Sequence, residues 1–270
     1  MNHQFLKIKK EIMATSSKNT VINIDLKLPT KWEDLSDEQL RYVYQLLAQH
    51  FNFVEIKTYC LHRWSGLLVW HRYGKHWACK HGKEKFILTA EQVEQVTHAL
   101  DWLEQMPTTP VRISKIGHHR ALEADFQGVP FETYIICDNL YQGYLSTKSE
   151  YILDELSTHL YKPSDVRLQD AERVSIFYWM ASLKAHLSRN FKHFFQPIDN
   201  ASVDNGNMFE QEQSQYEILQ NAVNAQIRAL TKGDITKEKE VLSLDTWRAL
   251  TELDCQAKEY EEINRKYPSK

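Results

Sequence analysis

The stretch DAERVSIFYWMASLKAHLSRNFKHFF, Asp170 to Phe195, decides the fold. Val174, Phe177, Tyr178, Ala181, Leu183, Leu187, Phe191, Phe194 and Phe195 recur at helical spacing and cover more than half of a helix circumference. A surface helix carries a single apolar stripe, whereas a helix this apolar all round belongs in the middle of a fold. The spacing predicts a central helix over 170–195, against which the other elements are laid.

Toward the N-terminus, Val21 to Leu28 alternates Ile22, Ile24, Leu26 and Leu28 with Asn23, Asp25 and Lys27, the period of a strand with one buried face, and Pro29 stops it. Ser36 and Gln39 form a capping-box pair ahead of Leu40, Val43, Tyr44, Leu47 and Phe51, one stripe of a helix, with Trp32 and Leu35 placed to pack back on it. Gly66, Gly74 and Gly82 separate Leu67–Tyr73, Lys75–His81 and Lys83–Leu88, short runs rich in β-formers that read as a three-stranded meander. Thr89 and Gln92 make a second capping box, opening a helix through Val93, Val96, Leu100 and Leu103 that Pro107 ends. Residues 132–145 and 149–160 are two further helical blocks.

Beyond the central helix, Pro197 to Met208 is the best linker in the chain. Two helices follow, Glu210–Lys232 and Thr236–Tyr267, with apolar spacings of three and four, and a turn at Gly233 makes them an antiparallel hairpin. The expected fold is mainly α with a small β element. Residues 1–20 are expected to be a mobile tail, 21–196 a mixed, mostly helical core, 197–208 a linker, and 209–270 a C-terminal two-helix arm.

The chain has 270 residues, enough for a sizeable core, and its 33 Lys and Arg against 36 Asp and Glu give a net charge of −3. That balance excludes a wholly basic nucleic-acid coat protein and an acidic solvating chain. Eight Gly and seven Pro are too few for a linker-dominated or collagen-like chain. Cys60, Cys79, Cys137 and Cys255 contain no Cys-x-x-Cys, so a disulfide scaffold is not expected and a reducing compartment fits best. No apolar run approaches the roughly 20 residues of a membrane span, and no secretory signal is visible.

One segment concentrates chemistry. Lys57 to Phe86 holds seven Lys or Arg against one acid, Glu84, interleaved with Tyr59, Trp64, Trp70, Tyr73, Trp77 and Phe86. Cations neutralise phosphates and flat rings stack on bases, so Arg63, Arg72, Lys75, Trp77 and Lys80 are candidate nucleic-acid contacts. The plainer reading buries the aromatics on one face of the meander and turns the Lys and Arg to water. An ideal strand would also put Trp70 and Arg72 on the same face, which spoils a clean stacking platform. Cys60, His62, His71, His76, Cys79 and His81 offer zinc-type atoms, but a strand over 75–81 points His76 and Cys79 to opposite faces, and no paired-knuckle spacing is present. No metal or cofactor is expected. Walker, dinucleotide, zinc-protease and nucleophile-elbow patterns are absent, and His118-His119 near Glu123 and Asp125 reads as an ordinary turn; no enzyme is expected. On the C-terminal arm, Trp247, Leu250 and Tyr260 are the candidate anchors for a partner.

Three stretches carry a likeness: Leu28-Pro-Thr-Lys-Trp-Glu-Asp-Leu-Ser36 leading into Gln39-Leu-Arg-Tyr-Val43, Asn139-Leu-Tyr-Gln-Gly-Tyr-Leu145, and Ala229-Leu-Thr-Lys-Gly-Asp-Ile-Thr-Lys-Glu238. With them the chain resembles uncharacterised proteins of phage and prophage structural-gene clusters in gut Bacteroidota. The resemblance implies a non-enzymatic tail-assembly factor or minor structural component near the head–tail junction. It would work through protein–protein contacts with other virion or assembly proteins, or with copies of itself, in the cytoplasm of the bacterial host or in the virion. A nucleic-acid-binding module built on residues 57–86 is the alternative function.

Overall fold

The computed structural model describes residues 11–16, 21–196 and 215–266. In chain order these form β1 (Glu11–Ser16), β2 (Val21–Asp25), α1 (Asp37–Ala48), α2 (Phe53–Trp64), β3 (Leu68–Tyr73), β4 (His76–His81), β5 (Glu84–Thr89) and α3 (Ala90–Thr97). There follow β6 (Lys115–Ile116), β7 (His119–Ala121), α4 (Phe131–Thr147), α5 (Glu150–Leu160), β8 (Tyr161–Lys162), α6 (Asp170–Asn190), α7 (Gln215–Thr231), α8 (Glu238–Leu242) and α9 (Thr246–Lys266). The fold is mainly helical with a small β element, as the periodicity predicts. The expected linker, 197–208, lies outside the described residues.

The described residues divide into two compact units. One gathers the described residues up to Pro107, with Val111–Ser114 and Leu168–Tyr178; the other holds Thr108–Pro110, Lys115–Arg167 and the described residues from Trp179 onward. This differs from a 21–196 core with an appended arm. Helix α6 contributes residues 170–178 to the first unit and 179–190 to the second.

In the first unit a five-stranded sheet runs in the order β2-β1-β5-β4-β3 with antiparallel pairing throughout. Strand β1 falls inside the segment expected to be a mobile tail; it pairs with β2 from Glu11↔Asp25 to Thr15↔Val21 and with β5 at Thr15↔Ile87. Both capping boxes read from sequence are formed. The amide of Gln39 donates to Ser36 Oγ (3.3 Å) and that of Ser36 to Gln39 Oε1 (2.9 Å), and Thr89 and Gln92 repeat the arrangement. A third box, Asn52 with Glu55, starts α2. The α1 stripe therefore stops at Ala48, where the chain turns through His50 in the left-handed region, rather than running on to Phe51.

The core of this unit is aromatic. Trp32 stacks at 6.0 Å on Tyr44 and meets Trp102 edge-on at 5.7 Å, while Tyr178 of α6 lies 5.5 Å from Tyr44. The Trp32 indole donates to the Gln105 carbonyl (2.8 Å), so its one polar atom is satisfied in the interior. Arg41 pairs with the buried Glu172 of α6, and Glu172 also caps the Gln169 amide.

The second unit is built around Trp179. Its indole donates to the Ala124 carbonyl (2.7 Å), and Phe126 and Tyr161 pack edge-on against its ring. Helix α6 stops at Asn190; Phe191, Phe194 and Phe195, placed in the helix by their spacing, follow it in turns. The expected second arm helix is broken at 243–245 into α8 and α9, with Asp245 capping the Arg248 amide of α9.

Removing the Trp32 ring deletes the centre of the aromatic cluster and a buried hydrogen bond, whereas Ser36→Ala removes one helix cap. Urea denaturation should show Trp32→Ala losing about 3–5 kcal/mol and Ser36→Ala about 1 kcal/mol. Equal losses would show that the cluster is not the core of that unit.

Candidate functional site

The glycine pattern of 66–88 marks the turns of the three-stranded meander that carries the candidate segment. Gly74 and Gly82, both at φ +58, occupy the tight turns between β3 and β4 and between β4 and β5, a conformation that glycine adopts without penalty. The register pairs Tyr73↔His76, Arg72↔Trp77, His71↔Ala78, Val69↔Cys79 and Leu68↔Lys80, leaving Trp70 as an extra residue in a bulge. Between β4 and β5 it pairs Trp77↔Leu88, Ala78↔Ile87, Cys79↔Phe86 and Lys80↔Lys85.

Side chains alternate between faces along a strand, so this register sorts the segment. Val69, Arg72, Trp77, Cys79, Phe86 and Leu88 share the inner face; Cys79, Phe86 and Leu88 are buried. A small cavity of about 100 Å³ on that side is lined by Leu61, His62, Val69, Trp77 and Cys79, with Val96 of α3. Leu68, His71, Tyr73, His76, Ala78, Lys80, Lys85 and Ile87 share the outer face, and all are exposed except Ala78, which is buried between His71 and Ile87. Trp70 in the bulge is 61 % exposed and Tyr73 55 %.

This arrangement corrects the sequence expectation residue by residue. Arg63 is on α2, where it ion-pairs with Glu38 (3.1 Å) and lies over the Tyr42 ring at 4.4 Å, off the sheet altogether. Arg72 is placed by the bulge on the side of Trp77 and stays exposed, its guanidinium 5.4 Å from the Trp77 ring and its Nε–H donating to the Gly74 carbonyl (3.0 Å). Trp77 is half-buried beneath it. Lys75, in the first turn, and Lys80 remain on the exposed side, joined there by Lys83 and Lys85. Nor are the aromatics uniformly buried: Phe86 is, but Trp70 and Tyr73 are open, with the His71 ring 4.2 Å from that of Tyr73. The bulge had no residue signature, so nothing in the sequence could separate Trp70 from Arg72.

Lys57, counted among the seven cations, is withdrawn from the surface. Its Nζ donates to Asp101 (2.7 Å) and Glu104 (2.5 Å), tying α2 to the turn that follows α3. Burial lowers the ammonium's affinity for its proton, but the two carboxylates outweigh it and hold the group above its ordinary value. Hydrogen bonds from Lys57 and then His98 hold the Asp101 carboxyl below the usual carboxylate range.

The cysteines are free thiols. Burial pushes the Cys60 thiol up to about 12 and raises that of Cys79, which disfavours the thiolate that nucleophilic attack needs. His76 and Cys79 occupy opposite faces of β4. Elsewhere His118, His119 and Asp165 bring one ligand-type atom each within 4.8 Å of the others. His119 is buried with its Nδ1 2.7 Å from the Pro163 carbonyl, and Asp165 is exposed.

The proposed partner anchors divide in the same way. Trp247 and Leu250 belong to the interior. The Trp247 indole donates to the Asp125 carbonyl (2.7 Å) and its ring meets Phe191 edge-on at 5.3 Å; Leu250 is fully buried. The preceding residues are stitched down too, Thr246 to the Val129 carbonyl through both amide and hydroxyl, and the Phe131 amide to the Leu244 carbonyl. Only Tyr260 is left outside. The pattern of three and four could not tell whether the stripe faced a partner or this unit's own loops.

No family model, curated protein or solved structure matches the chain. Among the described residues no helix is long and apolar enough to cross a membrane.

The Lys57 pair gives a pH signature. The part due to Asp101 is present above its ordinary value near pH 4 and is lost as pH falls through its lowered folded value. The part due to Lys57 is present below its ordinary value and is lost only as pH rises through its raised one. Lys57→Met should flatten the fall of stability between about pH 5 and pH 2 relative to the unaltered chain. An identical acid limb in chemical denaturation series would show that the pair carries no pH-dependent stability.

Proposed function

We propose that the chain is a non-enzymatic component of phage particle assembly, a tail-assembly factor or a minor structural protein near the head–tail junction. It acts through protein–protein contacts in the cytoplasm of the bacterial host or within the virion. The observation that supports a contact role is the C-terminal half of α9. Tyr260 and Ile263, one turn apart, are 66 % and 57 % exposed, on a helix whose first half is fixed by Ala249, Leu250 and Leu253 in the interior. A helix anchored at one end and apolar at i and i+3 on the other suits a groove in a second protein. Glu259, Glu262, Lys258 and Arg265 flank the pair as a polar rim. The sequence likeness to phage structural-cluster proteins supports the setting. In the cleft of about 310 Å³ lined by Asn224, Ile227, Arg228, Thr231, Ile235 and Glu238, the Thr231 hydroxyl donates to the Arg228 carbonyl (3.3 Å).

Tyr260→Ser combined with Ile263→Ser should leave the unfolding free energy within the small range typical of surface changes, about ±0.5 kcal/mol. It should abolish cross-linking of α9 to a protein encoded in the same structural-gene cluster. Leu250→Ala should instead lose about 2–5 kcal/mol. Undiminished cross-linking by the double variant would overturn the assignment of this surface.

A further inference from the structure

We infer that the outer face of β3, β4 and β5 is a binding site for single-stranded nucleic acid. Trp70, His71 and Tyr73 serve as stacking surfaces and Lys75, Lys80, Lys83 and Lys85 as phosphate partners. The inference is independent of the α9 surface.

Three observations carry it. The first is the bulge, which shifts the alternation after Trp70: His71 and Tyr73 fall on the outer face, and Arg72, itself exposed, falls on the side of Trp77, while the Trp70 ring is 61 % exposed. Aromatic rings contribute to stability by burial, and these contribute little of it. The second is charge. Between Leu68 and Thr89 there are five Lys or Arg and one acid, Glu84, and none of Lys75, Lys80, Lys83 and Lys85 has an ion pair to a described residue. The third is register. Lys80 and Lys85 are directly opposed on neighbouring strands, a like-charge pairing that works against the sheet and becomes favourable once an anion lies across both. Lys57, Arg41 and Arg63 of the same unit are by contrast ion-paired, Lys57 to two carboxylates, Arg41 to Glu172 and Arg63 to Glu38.

Flat rings on a sheet reach bases only where the bases are unstacked, which favours a single strand over a duplex. Three rings hold about three bases, and the lysines in both turns flank them on the backbone side. The contacts are to base faces and phosphates, not base edges, so little sequence preference is expected. Four neutralised phosphates give a log–log salt slope of about −3, a fall of about 50-fold in affinity between 50 and 200 mM salt.

The test is fluorescence anisotropy of the full chain with labelled oligothymidylate of about fifteen nucleotides, beside a duplex of the same length and poly-glutamate as competitor. The expected result is binding of the single strand in preference to the duplex, with the steep salt dependence above. Trp70→Ala with Tyr73→Ala should weaken it about 10- to 100-fold. Lys80→Glu with Lys85→Glu should abolish it and leave any residual binding less salt-dependent. All four positions are exposed, so unchanged far-ultraviolet circular dichroism and melting temperature certify the fold. The Tyr260→Ser/Ile263→Ser variant should bind the oligonucleotide normally, which separates this site from the α9 surface. No binding at 50 mM salt, equal binding by the face variants, or preference for the duplex would overturn the inference. Displacement by poly-glutamate at equal charge concentration would assign the face to an acidic protein and overturn it equally.

Discussion

Irregular backbone buried in a protein must have its carbonyls satisfied, and this chain does so with tryptophan. Three indoles donate to carbonyls outside any helix or strand: Trp32 to Gln105, Trp179 to Ala124 and Trp247 to Asp125. Residues 105–129 contain only the two short strands β6 and β7, too little regular structure to pair their own polar groups. Each tie fixes a loop to a helix or turn while burying a large apolar ring, so packing and hydrogen bonding are satisfied by one side chain. Trp64 and Trp102, whose indole nitrogens are also buried, make no such bond, which distinguishes the three that tie loops from those that only fill space.

This also explains which parts of the fold were readable. Local signals survived intact: the Ser36–Gln39 and Thr89–Gln92 boxes, the Gly74 and Gly82 turns, and the 131–147 and 150–160 helices are each specified by neighbours in sequence. Asn52-x-x-Glu55 was an equally local signal, hidden because an apolar stripe of correct spacing ran past it to Phe51. The break between α8 and α9 was hidden by the same cause, since helical spacing continues through Ser243-Leu244-Asp245 although Asp245 is a competent cap. Long-range ties left no pattern. Nothing around Trp247 says that its partner is the carbonyl of Asp125, 122 positions away.

The candidate sites were legible in composition and illegible in geometry. Composition located the basic, aromatic segment, and the meander it forms follows from its glycines. Which cations are free was a matter of tertiary pairing: Lys57 and Arg63 are consumed by Asp101, Glu104 and Glu38 from outside the segment. Which aromatics are free was set by one bulge. The C-terminal spacing marks Trp247 and Leu250 as anchors for a related reason, because an apolar stripe reports only that something covers it, and of the three candidates only Tyr260 is exposed.

Strand β3 lies at the edge of the sheet among the described strands, with all six residues exposed, four of them large and apolar. An edge of that kind invites pairing with another copy, and folded proteins blunt it with bulges and lysines. Both devices are present, in the Trp70 bulge and in the lysines of the adjoining turns and strand. Arg72 on the strand and Lys75 in its turn add positive charge along that edge, which opposes pairing with a second copy. The aromatic rings remain open to a ligand that carries negative charge and has no strand edge of its own. The residues that expose the rings and those that discourage self-pairing are thus the same short segment, and the alternation of strand faces keeps both apart from Cys79, Phe86 and Leu88, which hold the sheet to its core.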